Sequence, residues 1–214
     1  MTATLFAKDL SIGEVHQRFG FERSYGESFD AVLTLESLTE FERGEVAQIR
    51  EDFDRYLVGD RVSEGMVKLL SLFPLLRLAG FYRYPIELKL EESIAPIQVK
   101  DEDVIVTGRL DALAVASVEN GANAIPLWVL LVEAKNSEIS AMAGLPQLLA
   151  YAFEQLQRQG QMWGLVTNGL DYLFVQMEAG EGLKYQLLPQ LHFMDAGPGQ
   201  EVLRVLKAIR ALVA

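Results

Sequence analysis

Two acids stand where acids are costly. Asp111 interrupts the apolar run LDALAVASV, and Glu133 closes the run LWVLLVEAK, two residues before Lys135. A charge in such a strand is usually paired or retained for function. Residues two apart on a strand share a face, so Glu133 and Lys135 point the same way, and Asp111 is expected to share a face with Arg109. If the two strands form an antiparallel hairpin, a turn centred on Ala122 sets Asp111 directly opposite Glu133, with Cβ atoms ~4.5–5.5 Å apart. Carboxylates that close repel unless positive charge lies between them. A hard, oxygen-liganded cation suits that position, Mg²⁺ with Mn²⁺ as a substitute. Lys135 beside it would assist deprotonation of a water or stabilise charge developing on a phosphoryl oxygen. The chemistry so described is metal-assisted hydrolysis of a phosphodiester. In a purely structural role the same residues would form a buried ion pair. Spacing alone is weak, since an acid-x-Lys triplet arises by chance on the order of once per domain, and Glu87-Leu88-Lys89 has the same form. Glu133 is preferred because its strand is apolar up to the acid and the hairpin partner supplies Asp111.

The elements that must position these residues follow from periodicity. Residues 1–39 mix Gly, Ser and aromatics without a sustained period, and read as an irregular arm with one short strand at Ala31–Leu35. From Thr39 the apolar residues fall at helical spacing behind a Thr39-x-x-Glu42 capping box, predicting a helix of about 18 residues. A second helix runs from Glu64 to Ala79, after Ser63 and before Gly80 as its C′ residue. The period then changes. Strands are expected at Tyr84–Leu90, Ile94–Val99, Val104–Val118 and Leu127–Ala134, with a charged turn at Lys100–Asp103 and a hairpin turn within 119–124. A helix starting at Pro146 and ending at Gly160, strands at Met162–Thr167, Tyr172–Met177 and Leu183–Leu187, and a helix Gln200–Val213 complete the pattern. This order is that of a layered α/β or α+β domain. The expectation is a single domain over 1–214: the arm 1–39, a helical pair 40–80 and a core 81–214.

Glu64 on a helix, Gly108-Arg109-Leu110-Asp111 in one strand, Glu133-Ala134-Lys135 in the next and Gln147-x-x-x-Tyr151 on the following helix together resemble the PD-(D/E)XK nuclease superfamily. More narrowly, SEGMVKLLSLFPLLRLAGF, EAKN and GLVTNGLDYLFVQ resemble the nuclease domain at the N-terminus of type I restriction-enzyme R subunits, over roughly Ser63 to Gln176. The resemblance implies a restriction-endonuclease-like α/β core, a mixed central sheet flanked by helices. It implies that Asp111 and Glu133 ligate the metal and that the Ala134 carbonyl adds a ligand. It makes Lys135 the catalytic lysine and Glu64 a helical acid near the metal. Gln147 and Tyr151, one helical turn apart, would position the site or the nucleic-acid backbone. The implied activity is that of a Mg²⁺-dependent endonuclease acting on nucleic acid, taken as DNA, with a protein partner to deliver the substrate. The alternative is a catalytically idle domain of this fold, serving as a binding or regulatory module.

Other features exclude more than they add. Without cysteine there is no thiol catalysis, disulfide or Cys-ligated metal. His16 and His192, the only histidines, are expected in hydrogen-bonded or solvent-facing roles. Gly164-x-x-x-x-Gly169 continues as Leu170-Asp171, a turn and not a phosphate loop. No G-x-S-x-G occurs. The acids from Glu42 to Asp54 read as a solvated helix face, and Trp128 and Trp163 as core. Half of the 214 residues are apolar, consistent with a packed core. Neither a secretory signal nor a run of the ~20 apolar residues a spanning helix needs is read from the sequence, so the expected setting is cytoplasmic with no membrane contact. The net charge of −11 repels phosphates, so nucleic acid could be met only at a local basic patch or with the help of cations.

Overall fold

Alternating apolar residues on a central strand require cover on both faces, and the chain supplies it with helices on one side and helices plus a small sheet on the other. The computed structural model describes residues 3–99, 103–120 and 123–213, the side chains of 118–120 and 123–125 excepted. The large mixed sheet has the order β2-β10-β9-β8-β7-β6-β3, with β11 pairing on β9. Its strands are β2 (Phe21–Tyr25), β3 (Ile86–Leu90), β6 (Ala112–Asn120), β7 (Asn123–Ala134), β8 (Gln161–Thr167), β9 (Asp171–Ala179), β10 (Leu183–Leu187) and β11 (Leu191–His192). A second, three-stranded sheet has the order β1-β5-β4, from β1 (Ala3–Phe6), β4 (Ile97–Gln98) and β5 (Val104–Thr107).

The period of two sorts the core. Ala112, Ala114, Leu130, Val132, Leu165 and Phe174 face α2 (Glu40–Leu57), α4 (Phe73–Leu78) and α6 (Ala196–Ala211). Leu113, Val115, Leu131, Val166 and Val175 face α1 (Ile12–Phe19), α5 (Leu145–Gln159) and the small sheet. Strands β7 and β8 are parallel, which demands a crossover, and α5 provides it. The capping box at Thr39 forms as predicted, Glu42 Oε2 accepting from the Thr39 backbone N–H and hydroxyl at 2.8 and 3.0 Å. Gly160 and Gly169, both at positive φ, end α5 and turn β8 into β9, conformations that favour glycine.

The structure corrects several expectations. The arm 1–39 is not irregular. A Ser11/Glu14 capping box starts α1, β2 pairs with β10 in parallel, and residues 31–35 form turns and coil rather than a strand. Short polar edge strands and an eight-residue helix carry too few alternations to stand out in sequence. The predicted strand Val104–Val118 is two strands, β5 and β6, in different sheets, so Asp111 lies at their junction one residue before β6. Its expected shared face with Arg109 disappears with that break. The helix Glu64–Ala79 is α3 (Glu64–Val67), a π-helical turn Lys68–Leu72, and α4. In the π turn the Phe73 N–H reaches the Lys68 carbonyl. Pro74 follows directly, and its missing N–H and ring explain why the ladder widens there. Glu42 is not merely solvated, since it pairs with Lys207 of α6. Trp163 is core, but Trp128 is only partly buried. Most of the expected Lys100–Asp103 turn, and Gly121 and Ala122 of the hairpin turn, lie outside the described residues.

Candidate active site

Asp111 and Glu133 meet through a register that the turn alone does not set. Near the turn the strands pair as Asn120 with Asn123 and Val115 with Trp128. A β-bulge then intervenes, and beyond it Ala112 pairs with Val132. The extra residue, Val129, shifts the pairing by one. Without the bulge Asp111 would lie level with Val132, whose side chain is on the opposite face. With it, continuing the pairing one residue past Ala112 and Val132 sets Asp111 level with Glu133.

Glu133, one residue from the end of β7, is 2% exposed. Its Oε1 accepts from the Lys135 ammonium at 2.6 Å, while Oε2 is buried and has no hydrogen-bond partner among the described residues. Burial, then the charge of Asp111, pushes the Glu133 carboxyl up to about 8, against the pull of Lys135. Lys135 also donates to Gln147 Oε1 at 3.0 Å. Gln147, in the first turn of α5, donates to the Tyr151 hydroxyl at 2.7 Å, and that hydroxyl donates to the Arg109 carbonyl at 3.0 Å. Burial raises Tyr151 to about 12, so it remains a neutral donor. One chain of hydrogen bonds therefore runs from the buried acid to the backbone just before Asp111.

Asp111 is held on both oxygens. Oδ2 accepts from the Ala134 N–H and Oδ1 from the Lys68 ammonium, each at 2.8 Å. Ala134 thus enters the site through its N–H. Lys68 also lies 3.3 Å from Glu64 Oε1 and 3.9 Å from Glu91 Oε1. Burial opposes the Lys68 ammonium, but the bond and charge of Asp111 outweigh it and its pKa rises. Burial and then Asp111 raise that of Glu64. Arg109 points to solvent and pairs with Glu91 at 3.2 Å.

All seven residues expected in the site are thus gathered at the C-terminal end of β7: Glu64, Asp111, Glu133, Ala134, Lys135, Gln147 and Tyr151. Two reciprocal bonds between Val62 and Ser137 tie the start of α3 to the loop after β7, which carries Glu64 and Lys68 to the strand end. Sequence reasoning missed Lys68, whose only signal was its spacing of four from Glu64. It also gave no role to two glycines, Gly108 of the Gly108-Arg109-Leu110-Asp111 string and Gly144. A Cβ on Gly144 would stand 2.6 Å from Val166 Cγ1 and 2.9 Å from Glu133 Cγ, and one on Gly108 would stand 2.6 Å from the Tyr151 hydroxyl. Nothing in their local sequence marks that closeness. Glu87, of the competing triplet, is exposed on β3. His16 bonds the Tyr185 hydroxyl and His192 bonds Asp171, each at 2.9 Å, the structural roles expected of them.

Among the described residues no three Asp, Glu or His side chains form a ready metal cage. The fit to a divalent cation rests on less: a buried carboxylate oxygen without a partner, beside a second carboxylate that retains lone pairs. Mg²⁺ keeps several waters and is commonly held by one or two carboxylates, so the residues present suit it. The chain matches no protein-family model and no curated protein.

Proposed function

We propose that this protein is a metal-dependent nuclease of restriction-endonuclease-like architecture that hydrolyses phosphodiester bonds in nucleic acid, DNA in the first instance. The observation that carries this reading is the buried, half-unpartnered Glu133 beside Asp111 and Lys135. Asp111 and Glu133 would hold Mg²⁺ or Mn²⁺, which when bound supplies positive charge against the scissile phosphate. Lys135 holds its ammonium on Glu133, where it would bind a phosphoryl oxygen and stabilise the charge that grows on it. Gln147 fixes the Lys135 ammonium from one side, and Tyr151 fixes Gln147. The Ala134 N–H fixes Oδ2 of Asp111 at the end of β7. Divalent cations also answer the overall charge of −11, which otherwise disfavours an anionic polymer.

The test is incubation of the purified protein with plasmid, single-stranded DNA and RNA in Mg²⁺, Mn²⁺ or EDTA. The expected result is cleavage of at least one substrate that EDTA stops, with Lys135→Ala losing about 10²–10³-fold in rate while retaining Mg²⁺ binding. Full activity in Lys135→Ala would refute its role. The alternative of a catalytically idle binding module is favoured by Lys68, whose ammonium already neutralises Asp111 at 2.8 Å. Absence of cleavage in all combinations, with nucleic-acid binding intact, would establish that alternative.

A further inference from the structure

A lysine between acids is ordinary when it lies on the surface, but Lys68 is only 12% exposed and is aimed into the site from the helical layer. It stands 2.8 Å from Asp111, 3.3 Å from Glu64 and 3.9 Å from Glu91. A π-helical turn begins at Lys68, and such turns recur at functional sites. Lys68 thus faces three carboxyl groups, those of Asp111, Glu64 and Glu91, with one ammonium. Remove it, and Asp111 and Glu64 face each other without that ammonium between them.

We infer that Lys68 is a positioning residue that serves as the site's internal counter-cation, occupying Oδ1 of Asp111 in the metal-free protein and competing with the divalent cation for it. This inference rests on the proposed metal site. Two consequences follow from charge alone. The ammonium lets the acids converge before any metal arrives, so the metal-free protein folds with the site assembled. A cation approaching Asp111 must also push that ammonium aside toward Glu64 and Glu91, which weakens metal binding. Lys68 therefore sets the threshold concentration of divalent cation at which the site loads. A lysine that merely braced Asp111 would have the opposite effect, because its loss would loosen a ligand and weaken metal binding.

The experiment measures Mg²⁺ affinity by calorimetry, and by thermal melts in EDTA against increasing Mg²⁺, for wild type, Lys68→Met, Lys68→Gln and Lys68→Arg. The expected result is Mg²⁺ binding roughly tenfold tighter in Lys68→Met and Lys68→Gln, from loss of one like charge next to the ion. Both should melt lower than wild type in EDTA and show a larger rise with Mg²⁺, while Lys68→Arg returns the affinity toward wild type. Unchanged or weaker binding in the neutral variants, with wild type still binding, would overturn the inference and leave the metal site standing. Absence of Mg²⁺ and Mn²⁺ binding in wild type and both neutral variants would overturn the metal site and the inference with it. The two neutral variants differ in length and polarity, so a folding defect in one leaves the other to decide.

Discussion

The buried Oε2 of Glu133, without a partner among the described residues, can be satisfied by holding a proton or by facing a cation. Folded, Glu133 keeps its proton up to about 8, against an ordinary value of 4.5. Between those limits the folded state binds more protons than the unfolded state, so stability falls as pH rises through this window. The contribution is fully present below 4.5 and is lost as pH passes about 8. Melts in EDTA from pH 5 to 9 should show wild type losing stability relative to Glu133→Gln, with the gap widest at the alkaline end; parallel curves would show that Glu133 is not strained. Asp111 behaves differently from what repulsion alone suggests. From sequence, neutralising it to Asn should relieve the acid pair and leave the melting temperature at or above wild type. In the structure both its oxygens accept bonds, so the Asn amide would turn an N–H toward Lys68 or the Ala134 N–H. Asp111→Asn should therefore lose about 2–3 kcal/mol, less than a fully buried pair because Glu64 still faces Lys68. Denaturant melts in EDTA measure it, and a variant as stable as wild type would mean that the bonds to Asp111 add nothing.

Among the elements, the tightest tolerance is where α5 begins against the ends of β7 and β8. Gly144 lets the turn Ala141–Gly144 pass within contact of Val166 and Glu133. Gly144→Ala should cost about 1–3 kcal/mol from overpacking, and should lower the proposed nuclease turnover further than that loss implies, because Glu133 Cγ is among the atoms it crowds, after Val166 Cγ1. Comparing its rate with that of an equally destabilised core variant such as Ile209→Val separates the two effects; equal losses would remove Gly144 from the site's supports. The β-bulge at Val129 adds one residue to a regular ladder and shifts the register beyond it. The π turn from Lys68 likewise widens the helical ladder.

For the molecule as a whole, the site sits where both layers and the sheet meet. Glu64 and Lys68 come from the α2/α4/α6 side, Gln147 and Tyr151 from α5, and the acids from the sheet between. Binding one cation there should therefore stabilise the whole fold. Mg²⁺ at ten times its dissociation constant should add roughly 1.4 kcal/mol, or about 3–6 °C for a chain of this size. Glu133→Gln should lose most of that shift; a wild type indifferent to Mg²⁺ and Mn²⁺ would contradict a metal site. No helix of the described residues is long and apolar enough to cross a membrane.

Much of this arrangement was legible before any tertiary contact was known. The helices that begin after Thr39 and near Pro146, the strand that carries Glu133 and the turns at Gly160 and Gly169 follow from local periodicity and from backbone conformations open to few residue types. The pairing of Glu133 with Lys135 follows from a spacing of two. Tertiary structure decided the rest. It split Val104–Val118 between two sheets, because sheet membership depends on which layer covers a strand and not on its own alternation. It brought Asp111 level with Glu133 through a bulge that no turn signal encodes. It also aimed Lys68 at Asp111, forty-three residues further along the chain. No local pattern couples positions that far apart; the packing of α3 and α4 against the sheet does.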